Sequence, residues 1–364
     1  MKNITIILLI TIIFFSCTNQ KKTEFVSFKD SNILYTGRIN FNNDTAAILY
    51  WPGTSIKLNF KGSTLKILLK DTKGKNFYNI ILDNDSMFIL RPDTIKQWYN
   101  IAQNLPNKKH TVEIFKRTEW RVGPTYLYGF KTGDNTELLP PPIHTKKTIE
   151  FFGNSITAGY AIGDTVEDLA DSLFTDNYLT YGAITARHYN ANYYCTARGG
   201  IGITISWFPM IMKEMYNRLD PEDSTSVWDF SRYTPDIVVI NLFQNDSWLV
   251  EKPDYPEFKH RFGTKKPSKE FIINEYYNFV KTIRQTYPNA KIICALGSMD
   301  AVKKGSKWPD YVRQAVDKMN DSNIYTYVFP YINKDGHPKI KDHKIMADSL
   351  INFIDREDLW NENK

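Results

Sequence analysis

Cysteine is scarce in this chain, with three among 364 residues. Cys17 follows an apolar stretch near the start. Cys195 and Cys294 sit in apolar runs that read as buried strands, which suits core thiols better than a disulfide or a metal centre. Histidine is scarce too: six are scattered along the chain, with no His-Glu-X-X-His. A metallohydrolase would lack its ligand cluster, and no metal or other cofactor is expected. Neither sign of charge is in large excess. A net charge of +6 with dispersed lysines reads as solvated surface and argues against a nucleic-acid partner. Beyond the amino terminus, no segment approaches the ~18 uninterrupted apolar residues of a membrane span.

What is present begins with a leader. Lys2 supplies a positive start, and residues 4–15 form an apolar run of about a dozen, short for a bilayer helix but suited to a signal-peptide core. Phe14-Phe15-Ser16-Cys17 then reads as a bacterial lipobox, with Cys17 as the lipidated residue. Residues 1–24 are therefore expected to be a lipoprotein signal peptide and tether. The mature chain is expected to be a monomer, held at the bacterial outer membrane through a lipid anchor alone.

The remaining chain changes character near residue 140. Before it, short alternating segments at 46–51, 55–60, 64–70, 78–82, 86–90, 97–102, 110–116 and 126–131 are divided by turn signals such as Pro52-Gly53 and Asp83-Asn84-Asp85. Roughly eight strands at about 8–12-residue spacing predict an antiparallel β-sandwich or jelly roll over 25–138. Leu139-Pro140-Pro141-Pro142 opens a stiff linker, 139–147. From 148 to 358 apolar runs at 148–152, 191–195, 236–242, 291–296 and 323–329 alternate with helical patterns at 178–189, 209–219, 269–287, 309–319 and 340–354. This is an α/β pattern: a parallel five-stranded sheet covered on both faces, with a flavodoxin-like core.

In such a sheet the reacting groups collect beyond the carboxyl ends of the strands. Gly153-Asn154-Ser155 follows the first strand, Arg198-Gly199-Gly200 the second, Gln244-Asn245-Asp246 the third and Asp335-Gly336-His337 the fifth. A hydroxyl, glycine amides, a carboxamide and an imidazole thus share one rim, which is the equipment for acyl transfer. Ser155 needs a base, and His337 can take its proton and return it to a leaving alcohol. The Ser155 amide, a glycine amide (Gly200 or Gly199) and the Asn245 side chain can hold a tetrahedral oxyanion. Trp207, Trp248 and Trp308 fall in loops on the same rim, where an exposed indole offers a face to a sugar ring. Burial against its own domain is the competing reading for each, and for Trp207 the stronger one.

Gly153-Asn154-Ser155-Ile156-Thr157, Asn241-Leu242-Phe243-Gln244-Asn245-Asp246 and Asp335-Gly336-His337-Pro338 resemble the blocks of SGNH/GDSL hydrolases. The β-rich leader, notably Trp51-Pro52-Gly53-Thr54, His110-Thr111-Val112-Glu113 and Lys116-Arg117-Thr118-Glu119, resembles the amino-terminal jelly roll of carbohydrate esterase family 2. The resemblance covers nearly all of the mature chain. It implies metal-free removal of acetyl groups from plant polysaccharides such as xylan or glucomannan. The chain departs from the pattern at Asn154, where Asp is usual, and at Phe243, where Gly is usual and where a narrowed pocket or reshaped loop is expected. The acid is open as well: Asp335, two residues before His337, or a backbone carbonyl orients the imidazole. A carbohydrate-binding surface lipoprotein with weakened activity on the same fold is the alternative reading.

Overall fold

The computed structural model describes residues 24–134, 136–332 and 335–361. The leader and Cys17 lie outside the described residues. Residues 25–139 form two packed antiparallel sheets of six strands each. One runs Ile39–Asn40, Ala47–Leu49, Thr125–Thr132, Leu65–Asp71, Gln97–Ala102, with Phe25–Ser27 also on Thr125–Thr132. The other runs Glu137–Leu139, Ser55–Gly62, Lys108–Lys116, Tyr78–Leu82, Ser86–Leu90, with Ile33–Thr36 also on Ser55–Gly62. All eight expected strands are there, and four more of two to four residues lie at the edges. The alternation that made Leu65–Asp71 legible also builds the core: Leu65, Ile67 and Leu69 point inward and pack with Ile56, Leu58 and Phe60 of the opposing sheet. The strand Glu137–Leu139 runs one residue into the expected linker. Beyond it, Pro140 O accepts from Asn59 Nδ2 at 2.9 Å.

The second domain carries five parallel strands, Thr148–Gly153, Asn192–Ala197, Ile237–Asn241, Lys291–Leu296 and Ile324–Val328, in the spatial order second, first, third, fourth, fifth. Their alternate residues feed two separate cores. Phe151, Val239 and Ile293 pack under the helices Tyr181–His188 and Ile340–Arg356. Phe152, Ile240 and Ile292 pack under Lys269–Thr286 and Trp308–Asp317. Lys269–Thr286 shows why such a segment is helical. Ser268 caps its first turn by accepting from Phe271 N, and Ile272, Ile273, Tyr276, Phe279, Val280 and Ile283 form one buried stripe. The helix expected over 209–219 is only one turn, Met212–Met215, because the chain bends back and pairs Arg218 with Val227. Cys195 and Cys294 are buried free thiols. No helix among the described residues is long and apolar enough to cross a membrane.

The two domains share a buried polar seam. Arg38, from the sandwich, meets Glu150 on the first parallel strand at 2.9 Å, and both side chains are almost fully out of water. Tyr287 donates to the other Glu150 oxygen at 2.7 Å, and Arg38 also donates to Tyr216 O at 2.5 Å. Arg117 donates to Leu173 O and Thr175 O, at 3.1 and 3.2 Å. Apolar side chains of the sandwich (Tyr50, Trp51, Trp120, Ile81 and Phe115) join the cores of the second domain.

Candidate active site

Ser155 opens a single helical turn, Ser155–Ala158, directly after the first strand. Asn154 Oδ1 accepts from Ile156 N at 3.0 Å, so the residue that replaces the usual Asp acts as the helix cap. Ser155 Oγ lies 2.9 Å from His337 Nε2. The other ring nitrogen, Nδ1, lies 2.5 Å from Asp168 Oδ2, which also accepts from His337 N at 2.8 Å. Asp335, one of the two candidates for orienting the ring, is exposed, and Asp168 stands at Nδ1 in its place. A backbone carbonyl is likewise not the group at Nδ1. Gly336 explains the Asp-Gly-His spelling: its φ is +83°, and a Cβ there would lie 3.1 Å from the Asp168 carboxylate.

Asp168 lies in the segment between the first strand and the helix Tyr181–His188. Lys339 clamps that segment, with Nζ 2.7 Å from Asp168 Oδ1 and donating to Ala161 O at 2.9 Å and Glu167 O at 3.1 Å. Burial alone would push the Asp168 carboxyl up. The hydrogen bonds from His337 and Lys339 outweigh it and hold the group well below the usual carboxylate range, so Asp168 is an anion beside the imidazole. Tyr160 packs its ring on His337, with centroids 4.7 Å apart.

The donors for an oxyanion come from the segments that follow the first three strands. Asn245 Oδ1 accepts from Trp207 Nε1 at 3.0 Å, which fixes the amide orientation. One Nδ2 hydrogen then goes to Ile201 O at 2.8 Å, and the other is left for a ligand. Gly199 and Gly200, left as alternatives by the sequence, are separated by a residue of the sandwich. Glu119 Oε2 accepts from Gly199 N at 2.5 Å, while the Gly200 amide makes no hydrogen bond among the described residues and lines the cavity. Gly200 has φ +84°, a conformation that favours glycine. Asp246, fully buried, gathers the loop that follows: it accepts from Ile203 N at 3.0 Å, Thr204 N at 2.6 Å and Thr204 Oγ1 at 2.7 Å.

These groups surround a cavity of about 370 Å³ that Glu119, Arg121 and Tyr160 also line. Trp207 and Trp248 border it; Trp308 does not, and packs instead on Phe243 in a neighbouring cavity. Phe243 itself is fully buried, 4.5 Å from the Tyr276 ring and 4.9 Å from Trp308, so it does not narrow the catalytic cavity. Its φ of +81° keeps the backbone shape that Gly usually provides, at a cost of roughly 1–2 kcal/mol. Neither Asn154 nor Phe243 blocks the site. Glu119 and Arg121, joined to each other as an ion pair, had no local signal pointing to the second domain.

A parallel sheet in this order, with a serine after its first strand and a histidine after its last, is the architecture of SGNH hydrolases. Residues 35–142 match the family model described as Carbohydrate esterase 2 N-terminal. The chain is 30% identical to a solved family two carbohydrate esterase from Clostridium thermocellum in complex with cellohexaose. That likeness covers 90% of this chain and 100% of the other, with a TM-score of 0.80. It is 30% identical over 342 residues to "Cellulase/esterase CelE" of Acetivibrio thermocellus, of whose length it spans 40% and which covers 90% of this chain. To an "Acetylxylan esterase / glucomannan deacetylase" of Cellvibrio japonicus it is 25% identical, over 96% of this chain and 97% of that protein. The chain belongs to carbohydrate esterase family 2.

Proposed function

We propose that this chain is a serine esterase that removes acetyl groups from carbohydrate, with acetylated xylan or glucomannan as substrate class, through an acyl-enzyme. The observation that carries this reading is the unbroken chain of contacts from Ser155 Oγ through His337 to Asp168 beside free donors. His337 Nε2 takes the Ser155 proton as Oγ attacks the acetyl carbonyl. Ser155 N, Gly200 N and Asn245 Nδ2 receive the oxyanion; one such donor is worth about 2.7–4 kcal/mol of barrier. The tetrahedral intermediate collapses, the sugar oxygen leaves with the proton from Nε2, and the acetyl group stays on Oγ. Water then attacks with His337 as base, acetate departs, and Oγ regains its proton. Asp168 holds Nδ1–H throughout and balances the imidazolium charge. Support for acetylated glycan comes from the names borne by the relatives and from Trp207 and Trp248 at the cavity.

The test is acetate release from acetylated xylan and glucomannan, with Ser155→Ala as control. Wild type should release acetate from at least one, and the variant should lose more than about a hundredfold in kcat with an unchanged circular dichroism spectrum. Hydrolysis that persists in the variant, or no hydrolysis of either polymer by wild type, would overturn the reading.

A further inference from the structure

A second cavity, of about 500 Å³, adjoins the catalytic one, and Trp248 lines both. Its aromatic side is Trp248, Trp308 and Tyr311, with the last two rings 5.4 Å apart. Lysines supply much of the rest. Lys303, Lys304 and Lys307 are exposed and have no acidic partner among the described residues. Lys266 differs, being paired with Glu251; Lys269 lies 3.9 Å from Asp310. The acids that line the cavity are engaged: Glu251 by Lys266, and Asp300 by the Trp248 indole, which donates to it at 3.2 Å.

An aromatic wall alone suits a neutral sugar ring. Three unpaired ammonium groups beside it raise the local potential for an anion, and a neutral glycan has no use for them. A sugar that carries a carboxylate uses both features, its ring against indole and its charge against lysine. We propose that this cavity is a subsite for a uronate unit, borne on the same polysaccharide whose acetyl group lies at Ser155. The proposal rests on the esterase reading, since the shared Trp248 makes it an extension of that cleft.

The experiment compares acetylated xylo-oligosaccharides with and without a glucuronic acid branch, on wild type and on the double variant Lys303→Glu/Lys307→Glu. Wild type should show a KM about fivefold to tenfold lower for the branched substrate, a preference that shrinks as salt rises. The double variant should lose the preference and keep wild-type kcat on p-nitrophenyl acetate, because neither lysine touches the catalytic groups. Calorimetry on Ser155→Ala with deacetylated oligosaccharides measures the subsite without turnover, and should show the same preference for the branched ligand. Equal binding of branched and neutral ligands, or a preference that survives charge reversal, overturns the subsite. Absence of acetate release with the binding preference intact would overturn the esterase reading alone.

Discussion

Asp168→Asn isolates what the carboxylate does for the imidazole. In the native site every neighbour of Asp168 is a donor: His337 N and Nδ1 meet one oxygen and Lys339 Nζ meets the other. An amide has only one acceptor oxygen, so one side must face donor against donor. If the oxygen turns to Lys339, the NH2 faces His337. The ring must then accept at Nδ1 and carry its proton on Nε2, where it cannot take one from Ser155. If the oxygen turns to His337, the NH2 opposes an ammonium 2.7 Å away and the loop must move. In both cases the negative charge that balances the imidazolium is gone. The loss in kcat should be about 10³–10⁴, the scale known for this substitution in a serine triad, or roughly 4–5.5 kcal/mol of barrier. Steady-state hydrolysis of p-nitrophenyl acetate reads it, with thermal unfolding as the check on fold. Asp335→Asn, the change in the exposed residue beside Gly336, should stay near wild type. Retention of more than a tenth of kcat by Asp168→Asn, or an equal loss in Asp335→Asn, would refute the reasoning.

Other substitutions probe the scaffold. Arg38→Met leaves Glu150 as an unpaired buried charge and should cost about 3–5 kcal/mol in urea unfolding; Arg38→Met/Glu150→Leu should recover part of that, and a purely additive result would contradict a coupled pair. Lys116 is wholly buried, and burial lowers its pKa to about 7. Between that value and the unfolded value near ~10.4 the folded chain holds fewer protons than the unfolded one, so this lysine makes stability rise with pH across that window and costs stability below it. Lys116→Met should raise the urea midpoint at pH 7 and flatten the rise towards pH 10; an unchanged slope would remove Lys116 as its source. Phe243→Gly relieves the positive φ but loses a buried ring, so a net loss of about 2–3 kcal/mol is expected. Its kcat should stay within about threefold, because the ring does not line the catalytic cavity.

The parts of the molecule that were readable in advance are those whose signal is local. The five parallel strands are unbroken apolar runs, and Lys269–Thr286 declares its buried stripe and its serine cap within its own residues. Ser155, Asn245 and His337 were legible because a parallel sheet turns positions after its strands into neighbours. Asp168 had no such marker: it is 169 residues from His337, in a loop with other acids, and only the folded chain distinguishes it from Asp164 or Asp171. Asp335 was a candidate for its closeness in sequence, but the left-handed Gly336 directs the turn so that another loop fills the space. Trp308 misled in a related way. Its loop leaves the correct rim, but the indole folds back onto Phe243. The short edge strands Phe25–Ser27 and Ile39–Asn40 contain too few residues for alternation to register.

The seam between the domains has a consequence for biogenesis. The sandwich ends at Leu139, whereas the groups that receive Arg38, Arg117 and Trp51 lie further along, from Glu150 to Leu219. At about 5–20 residues per second, roughly 4–16 s pass between synthesis of Leu139 and of Leu219. During that interval Tyr50, Trp51, Ile81 and Phe115 lack the cores that they join in the finished protein. Until Glu150 is in place, the Arg38 cation that becomes a buried fastener has no carboxylate to meet.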